Sequence, residues 1–322
     1  MEIVIYYLTK LLLKIKFNLV LFLLFILMNL QEYNNIEYQL EKEISKIGYS
    51  QKQSNWNYIK KDFLLLALKF RHIMKNEKNI PEDSPIWTMW YQGIENAPPI
   101  VQSCIKSIII NRGKHHVIII DKYNLKKYIK LPSYIIEKHN NHTFTTTHFS
   151  DIVRMGLLFK YGGYWIDSTY LITTPITKIN YTFYSLKKYK FCNHTFITCQ
   201  WAGNFLATTK NSFISTYGYS TLLLYWKKYN SLINYFLLDY IIYIAYNNII
   251  EFKHIIEKLP KQKCKIPLVK VLNSEYNKSY FNCHFNKLSY KKHWILFKNK
   301  TETNYGYLIQ KYKLNIKKQL RF

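Results

Sequence analysis

Asp167 is the acidic residue of this 322-residue chain that is best placed to do chemistry. It directly follows residues 164–166, an aromatic and β-branched run that is typical of a buried strand, and Gly162 and Gly163 precede that run. In open α/β sheets, ligands bind outside the carboxyl ends of the strands. A carboxylate at that position is therefore a better candidate for ligand contact than one in a surface loop.

The segment before the glycines predicts a helix whose polar side chains point to the same place. Ser150 is a suitable N-cap, Asp151 would lie in the first turn, and the glycine after Lys160 is typical of a left-handed C-cap. Asp151 and Arg154 are three residues apart, so they share one helix face and can pair. The pair either anchors the helix or faces a ligand, and spacing leaves both interpretations open.

Strand and helix patterns alternate along the rest of the chain, which predicts an α/β fold with a mainly parallel sheet. Strand patterns cover 86–91 and 116–120, the latter ending at Asp121, and two more strands are expected within 196–208 around a turn at 202–204. Helical patterns cover 98–111, 125–129, 134–138, 212–229, 232–246 and 252–259.

Two motifs in this order resemble a known family. IWTMWYQGIENAPPIVQSCIKSI and SDIVRMGLLFKYGGYWIDST are similar to segments of the capsular polysaccharide synthesis glycosyltransferases, relatives of the DXD-containing sugar transferases. The similarity covers residues 86–291 and implies a GT-A-type Rossmann-like nucleotide-sugar-binding domain that retains anomeric configuration. Where the wider superfamily has a second acid, this chain has Thr169.

The resemblance implies roles for individual residues. Asp167 and Asp239 are expected to be catalytic, and Asp239 is expected to contact the acceptor. Asp167 and Thr169 would hold a divalent cation, manganese or magnesium. Such a cation neutralises a diphosphate leaving group through oxygen ligands, assisted by basic side chains. The expected donor-binding residues are Trp90, Gln92, Asp151, Arg154, Gly162, Gly163, Lys287 and Lys291.

The implied partners are a nucleotide-sugar donor, UDP-linked, and a glycan or lipid-linked acceptor of capsule or lipooligosaccharide type. Without the second acid, a non-catalytic glycan-binding protein is an alternative. The formal charge of +27 and the 30 tyrosines favour polyanions and raise a third class, nucleic-acid binding. No nucleic-acid-binding signature accompanies them, so no nucleic acid is expected as a partner.

Both ends of the chain predict membrane contact. Residues 17–30 are apolar and would cover only roughly 21 Å as a helix, short of a hydrocarbon core of roughly 30 Å. Lysines before this run and the basic tail after it suit an anionic surface, so we expect the protein at the cytoplasmic face of the membrane, peripheral or N-terminally anchored. The expected regions are a membrane-associating segment (1–30), a helical connector (31–84), a catalytic domain (85–295) and a basic tail (296–322).

Five cysteines with no paired CxxC spacing predict reduced thiols in a cytosolic compartment. A zinc site from Cys192, Cys199, Cys283 and His284 is a weaker alternative, because their spacing matches no familiar pattern.

Overall fold

The computed structural model describes residues 53–177, 179–188, 200–262, 264 and 266–314. The chain divides into two compact units, and the fold described below is that of the second, which starts at Trp56. The predicted membrane segment, the first part of the helical connector (31–52), Cys192, Cys199 and the end of the basic tail lie outside the described residues. The region boundaries expected from the sequence therefore stay predictions.

The described residues form eleven strands, named in chain order. They are β1 (Ile86–Met89), β2 (Val117–Ile120), β3 (Gly163–Ile166), β4 (Tyr170–Ile172), β5 (Phe183–Ser185), β6 (Lys187–Lys188), β7 (Phe205–Thr208), β8 (Lys261–Gln262), β9 (Phe285–Lys287), β10 (Phe297–Lys298) and β11 (Thr301–Glu302).

Five of these strands make the central sheet, in the order β2-β1-β3-β7-β5. β1 is parallel to both β2 and β3, whereas β7 is antiparallel to both β3 and β5. The fold is thus mixed α/β. The alternation of strands and helices predicted a mainly parallel sheet, and β1, β2 and β3 form the parallel part.

Nine α-helices of the described residues surround the strands. They are α1 (Gln53–Phe70), α2 (Pro99–Ile110), α3 (Leu125–Tyr128), α4 (Ser133–Asn140), α5 (Thr146–Tyr161), α6 (Phe213–Lys228), α7 (Leu237–Asn248), α8 (Ile250–Glu257) and α9 (Asn304–Lys311). None of the described helices is long and apolar enough to cross a membrane.

The start of α5 differs from the prediction. The helix begins one turn earlier, with Thr145 as its N-cap, so Asp151 lies in the second turn and not in the first. Ser150 is inside the helix, where its hydroxyl donates to the Thr147 carbonyl at 2.6 Å. Serine is a good cap but also bonds back to the preceding turn within helices, and its presence alone did not locate the first turn.

Gly162 and Gly163 link α5 to β3 with backbone conformations that exclude other residues. Their φ angles are 70° and 92°. A Cβ would lie 2.5 Å from the Lys210 nitrogen at Gly162 and 2.1 Å from the Pro85 carbonyl oxygen at Gly163. The buried indole of Trp87 donates to the Gly162 carbonyl at 2.9 Å, so this turn is tied to β1. The glycine turn thus fixes α5 against the sheet and aims β3.

A separate pair of strands brings the last quarter of the chain back to the centre. β9 runs antiparallel to β4, with Lys287 opposite Tyr170 and Phe285 opposite Ile172. Leu288, the next residue, is buried, and its N–H donates to the Thr169 carbonyl at 2.9 Å. The backbone of Lys287 is therefore held beside the residues that follow β3.

Cys264 and Cys283 form a disulfide, with Cα atoms 5.4 Å apart. This corrects the expectation that all cysteines are reduced thiols; Cys104 is a buried free thiol, as expected. No short Cys-to-Cys spacing predicts this pairing, because tertiary packing brings the two residues together. Because Cys283 is in a disulfide, it is not available as a zinc ligand. Among the described residues, no group of three potential metal ligands occurs.

Candidate active site

The carboxyl ends of β1 and β3 lie side by side because these two strands are parallel. Trp90 and Gln92 follow β1, and Asp167 follows β3. Asp239 in the first turn of α7 and Lys287 at the end of β9 reach the same place. This edge is where open α/β sheets bind their ligands.

Asp167 is held by three donors. Its Oδ1 accepts from the indole N–H of Trp165 at 2.8 Å and from Nη2 of Arg154 at 3.2 Å. Its Oδ2 accepts from the ammonium group of Lys287 at 2.6 Å. The side chain of Asp167 is 25% exposed, so this carboxylate faces a surface that a ligand can reach.

Arg154 is the buried cation of the site, with 4% of its surface exposed. It contacts Asp151 at 3.0 Å and Asp167 at 3.2 Å, donates to the Gly203 carbonyl, and lies 5.0 Å from the centre of the Trp165 ring. Its Nε–H is buried and has no acceptor among the described residues. One guanidinium thus joins α5, β3 and the turn before β7.

Asp239 belongs to the same network through Gly203. Its Oδ1 accepts from the Gly203 N–H at 3.3 Å, while the Gly203 carbonyl accepts from Arg154. Burial raises the pKa of Asp239, Arg154 lowers it, and the charge of Asp167 raises it again. The structure therefore brings together the two predicted catalytic acids and the predicted helix pair.

The three carboxylates differ in protonation because their surroundings differ. Burial raises the pKa of Asp151 to about 7, against the pull of Arg154 and with added repulsion from Asp167 and Asp239. Burial also favours the protonated form of Asp167, but the charges of Lys287 and Arg154 outweigh it, so the pKa of Asp167 is lowered. Of the three carboxylates, Asp167 is thus the one whose surroundings favour the charged form, because it lies between two cations.

We expect the unfolding free energy of the protein to depend on pH through the protonation of Asp151. A carboxyl whose pKa is about 7 when folded and 3.8 ordinarily binds its proton more tightly in the folded state. That contribution is complete below the ordinary pKa and is lost as pH rises through 7. Asp151→Asn removes this dependence, so the variant should gain stability relative to the wild type as pH rises from about 4 to about 7.

Urea unfolding of both proteins across that range measures the difference. A free-energy difference that stays constant with pH would show that folding does not raise the pKa of Asp151.

The other predicted residues have less direct positions. Trp90 packs on the core and makes a T-shaped contact with the Tyr290 ring, with 5.2 Å between the ring centres. Gln92 is exposed, and its backbone carbonyl accepts from the side-chain amide of Asn96. Lys291 is exposed, and among the described residues Lys287, not Lys291, pairs with Asp167. Thr169 is buried, with 8% exposed. The donor-binding roles of Trp90, Gln92 and Lys291 and the metal-binding role of Thr169 stay predictions.

The structure places Gly162 and Gly163 at a distance from Asp167, and their donor-binding role stays a prediction. They start β3, whereas Asp167 follows its other end, roughly 13 Å away along an extended strand. Their close neighbours are the backbone of Pro85 and of residues 208–210. The two glycines are therefore a structural turn that positions the site from a distance.

Four contributing residues were not singled out from the sequence. Trp165 is two residues before Asp167 and so on the same face of the strand, a spacing that could have revealed it. The Gly203 backbone, and the 2.7 Å hydrogen bond from the Tyr170 hydroxyl to Asn204, depend on the turn before β7. The composition of residues 202–204 predicted a turn, but it did not predict that this turn lies beside Arg154.

The donors around Asp167 do not suit a divalent cation well. Both oxygens of this carboxylate accept from cationic groups, Asp151 is paired with Arg154, and Asp239 accepts from Gly203. A hard cation needs several free oxygen ligands. The manganese or magnesium ion implied by the resemblance stays a prediction that this arrangement of side chains does not favour.

Comparison with known proteins gives the class of the chain. The sequence profile described as "Capsular polysaccharide synthesis protein" matches residues 34–308. The protein therefore belongs to the capsular polysaccharide synthesis protein family.

Two curated relatives match a shorter part. The "O-glycosyltransferase braB" of Annulohypoxylon truncatum is 32% identical over 111 residues, 31% of this chain and 25% of its own length. The "O-glycosyltransferase PaGT" of Phomopsis amygdali is 25% identical over 118 residues, 34% of this chain and 29% of its own. The match thus spans about a quarter of the length of each relative.

Among solved structures, the "PaToxG Glycosyltransferase" aligns with 52% of this chain and 69% of its own, at 13% identity and a TM-score of 0.32. A likeness this remote carries no argument about the site.

Proposed function

We propose that this protein is a nucleotide-sugar-dependent glycosyltransferase with a GT-A-type arrangement of its donor site. The observation that carries the proposal is the meeting of Arg154 and Lys287 on Asp167 at the carboxyl edge of β1 and β3. Family membership and relatives named as O-glycosyltransferases support the same class.

The chemistry of such a transfer suits these groups. The bond between the anomeric carbon and the diphosphate oxygen breaks, and its electron pair stays on the diphosphate. The acceptor hydroxyl forms the new bond to carbon, and its proton ends on the departing diphosphate or in solvent. Cations that face the developing charge lower the barrier, and Arg154 and Lys287 are the two cations that contact Asp167.

The acceptor is proposed to be a glycan or lipid-linked glycan of the capsule or lipooligosaccharide type, with a UDP-linked donor and retention of configuration. Asp239 is proposed to face the acceptor, since it lies across Gly203 from Arg154. If a cation takes part, Asp167 and Thr169 are its proposed ligands.

A panel of nucleotide sugars tests the proposal. Purified full-length protein, with and without metal salts, should hydrolyse or transfer the sugar of at least one donor, and Asp167→Ala should not. Glycan binding without turnover of any donor would instead support the non-catalytic alternative, and retention by nucleic acid alone would support the third class.

We also propose that the protein works on a membrane surface. Residues 1–30 and the basic tail are its proposed contacts, because apolar and cationic groups together hold a protein on anionic lipid. The full-length protein should sediment with anionic vesicles at low salt, and deletion of residues 1–30 together with high salt should release most of it. Full-length protein that stays in the supernatant at low salt would refute surface binding.

A further inference from the structure

We infer that Lys287 takes the place of a divalent cation in the donor site, so that the protein binds a nucleoside diphosphate without metal. This inference rests on the proposed function. It starts from the poor fit of the side chains around Asp167 to a metal ion.

The carboxylate that would ligate the metal is already neutralised. Lys287 contributes its ammonium group to Oδ2 of Asp167 at 2.6 Å, and Arg154 contributes its guanidinium to Oδ1 at 3.2 Å. Thr169 replaces the second acid with a neutral side chain. A carboxylate that is already paired with two cations favours an anion as the next ligand, whereas a metal ion at Oδ2 would have to displace Lys287.

The position of Lys287 is fixed by backbone pairing, while its side chain can move. Lys287 is opposite Tyr170 in the register of β9 on β4, and Leu288 is tied to Thr169. Its side chain is 38% exposed, and the ammonium lies 5.1 Å from the centre of the Tyr170 ring. The strand thus delivers one cation to the ligand-binding edge and leaves it able to turn from Asp167 to a bound phosphate.

The remaining acids do not compete for this cation. Asp151 pairs with Arg154, and burial raises its pKa, so it carries less than a full negative charge near neutral pH. Asp239 is bonded to the Gly203 N–H. Asp167 is therefore the one acid that a diphosphate would have to replace as the partner of Lys287. Asp167 would keep its contact with Arg154.

Binding of UDP and GDP by the full-length protein tests the inference, measured by calorimetry in excess EDTA and again in excess Mn²⁺. We expect the wild type to bind one of them with the same affinity, within about threefold, in both conditions. Lys287→Met should weaken that binding in EDTA by about tenfold to a hundredfold, on the scale of one charged hydrogen bond. Lys287→Arg should retain most of it.

Lys298→Met is the matched control, because Lys298 is an exposed lysine on β10 in the same part of the chain. It should bind as the wild type does. That result would show that the effect of Lys287→Met comes from the position of Lys287 and not from the loss of one positive charge. Thermal unfolding of each variant shows that the fold is kept.

The outcomes separate this inference from the proposed function. Binding that needs Mn²⁺ would overturn the role of Lys287 and leave a metal-dependent glycosyltransferase standing. Unchanged binding by Lys287→Met in EDTA would overturn it too. Absence of binding under both conditions, with no donor turned over, would overturn the proposed function and the inference together.

Discussion

Asp167→Ala is expected to lower turnover at least about a hundredfold while the protein stays folded, as removal of one principal electrostatic contact does in other enzymes. Asp167 fixes the distance between Arg154 and Lys287, since each cation binds one of its oxygens. Without the carboxylate, Lys287 is no longer held at the edge of the sheet. Arg154 keeps Asp151 and the Gly203 carbonyl, so the change in unfolding free energy should be small.

Asp121→Ala is the matched control, because Asp121 is also an acid at the carboxyl end of a parallel strand. Its Oδ1 accepts from the N–H groups of Tyr123 and Asn124 at 2.8 Å, so it caps a turn. This variant should lose some stability and keep its turnover. Initial rates and melting temperatures of both variants make the comparison, and near-normal transfer by a folded Asp167→Ala protein would reject the assignment.

Arg154→Met should have the largest effect on stability, about 3–5 kcal/mol of unfolding free energy, as expected when one partner of a buried ion pair is removed. The substitution leaves Asp151 and Asp167 without their shared guanidinium and the Gly203 carbonyl without its donor. Turnover should fall as well, since one of the two cations at the proposed donor site is gone.

The double variant Arg154→Met with Asp151→Asn distinguishes the loss of charge balance from the loss of packing. Neutralising the more buried acid should restore part of the stability, and the recovery should grow as pH rises, because Arg154 lowers the pKa of Asp151 in the wild type. Chemical unfolding of the two single variants and the double variant gives the coupling energy. A double variant no more stable than Arg154→Met would show that packing is the main contribution.

The part of the site that the sequence could predict is the part that is local. Asp151, Arg154 and Asp167 belong to one helix, turn and strand, and their spacing already placed the first two on one face. The β1 and β2 strands and α2 were predicted within a few residues for the same reason, because Pro99 and the β-branched runs act on their immediate neighbours.

What could not be predicted depends on tertiary packing. The start of α5 moved from Ser150 to Thr145 because capping residues compete along a polar segment. Gly162 and Gly163 gave the correct turn, but their distance from Asp167 follows from the direction of β3. The disulfide between Cys264 and Cys283 and the contact of Lys287 with Asp167 join segments far apart in the chain, whose register no short pattern encodes.

The pairing of β9 with β4 also bears on how the protein is made. Lys287 follows Asp167 by 120 residues, so a ribosome releases α5, β3 and β7 well before it releases the strand that carries this lysine. Domains fold as units during synthesis, with N-terminal parts first. A nascent chain can therefore assemble its central sheet while Asp167 still lacks one of its two cations, and the proposed donor site acquires its final charge only when β9 has emerged and paired.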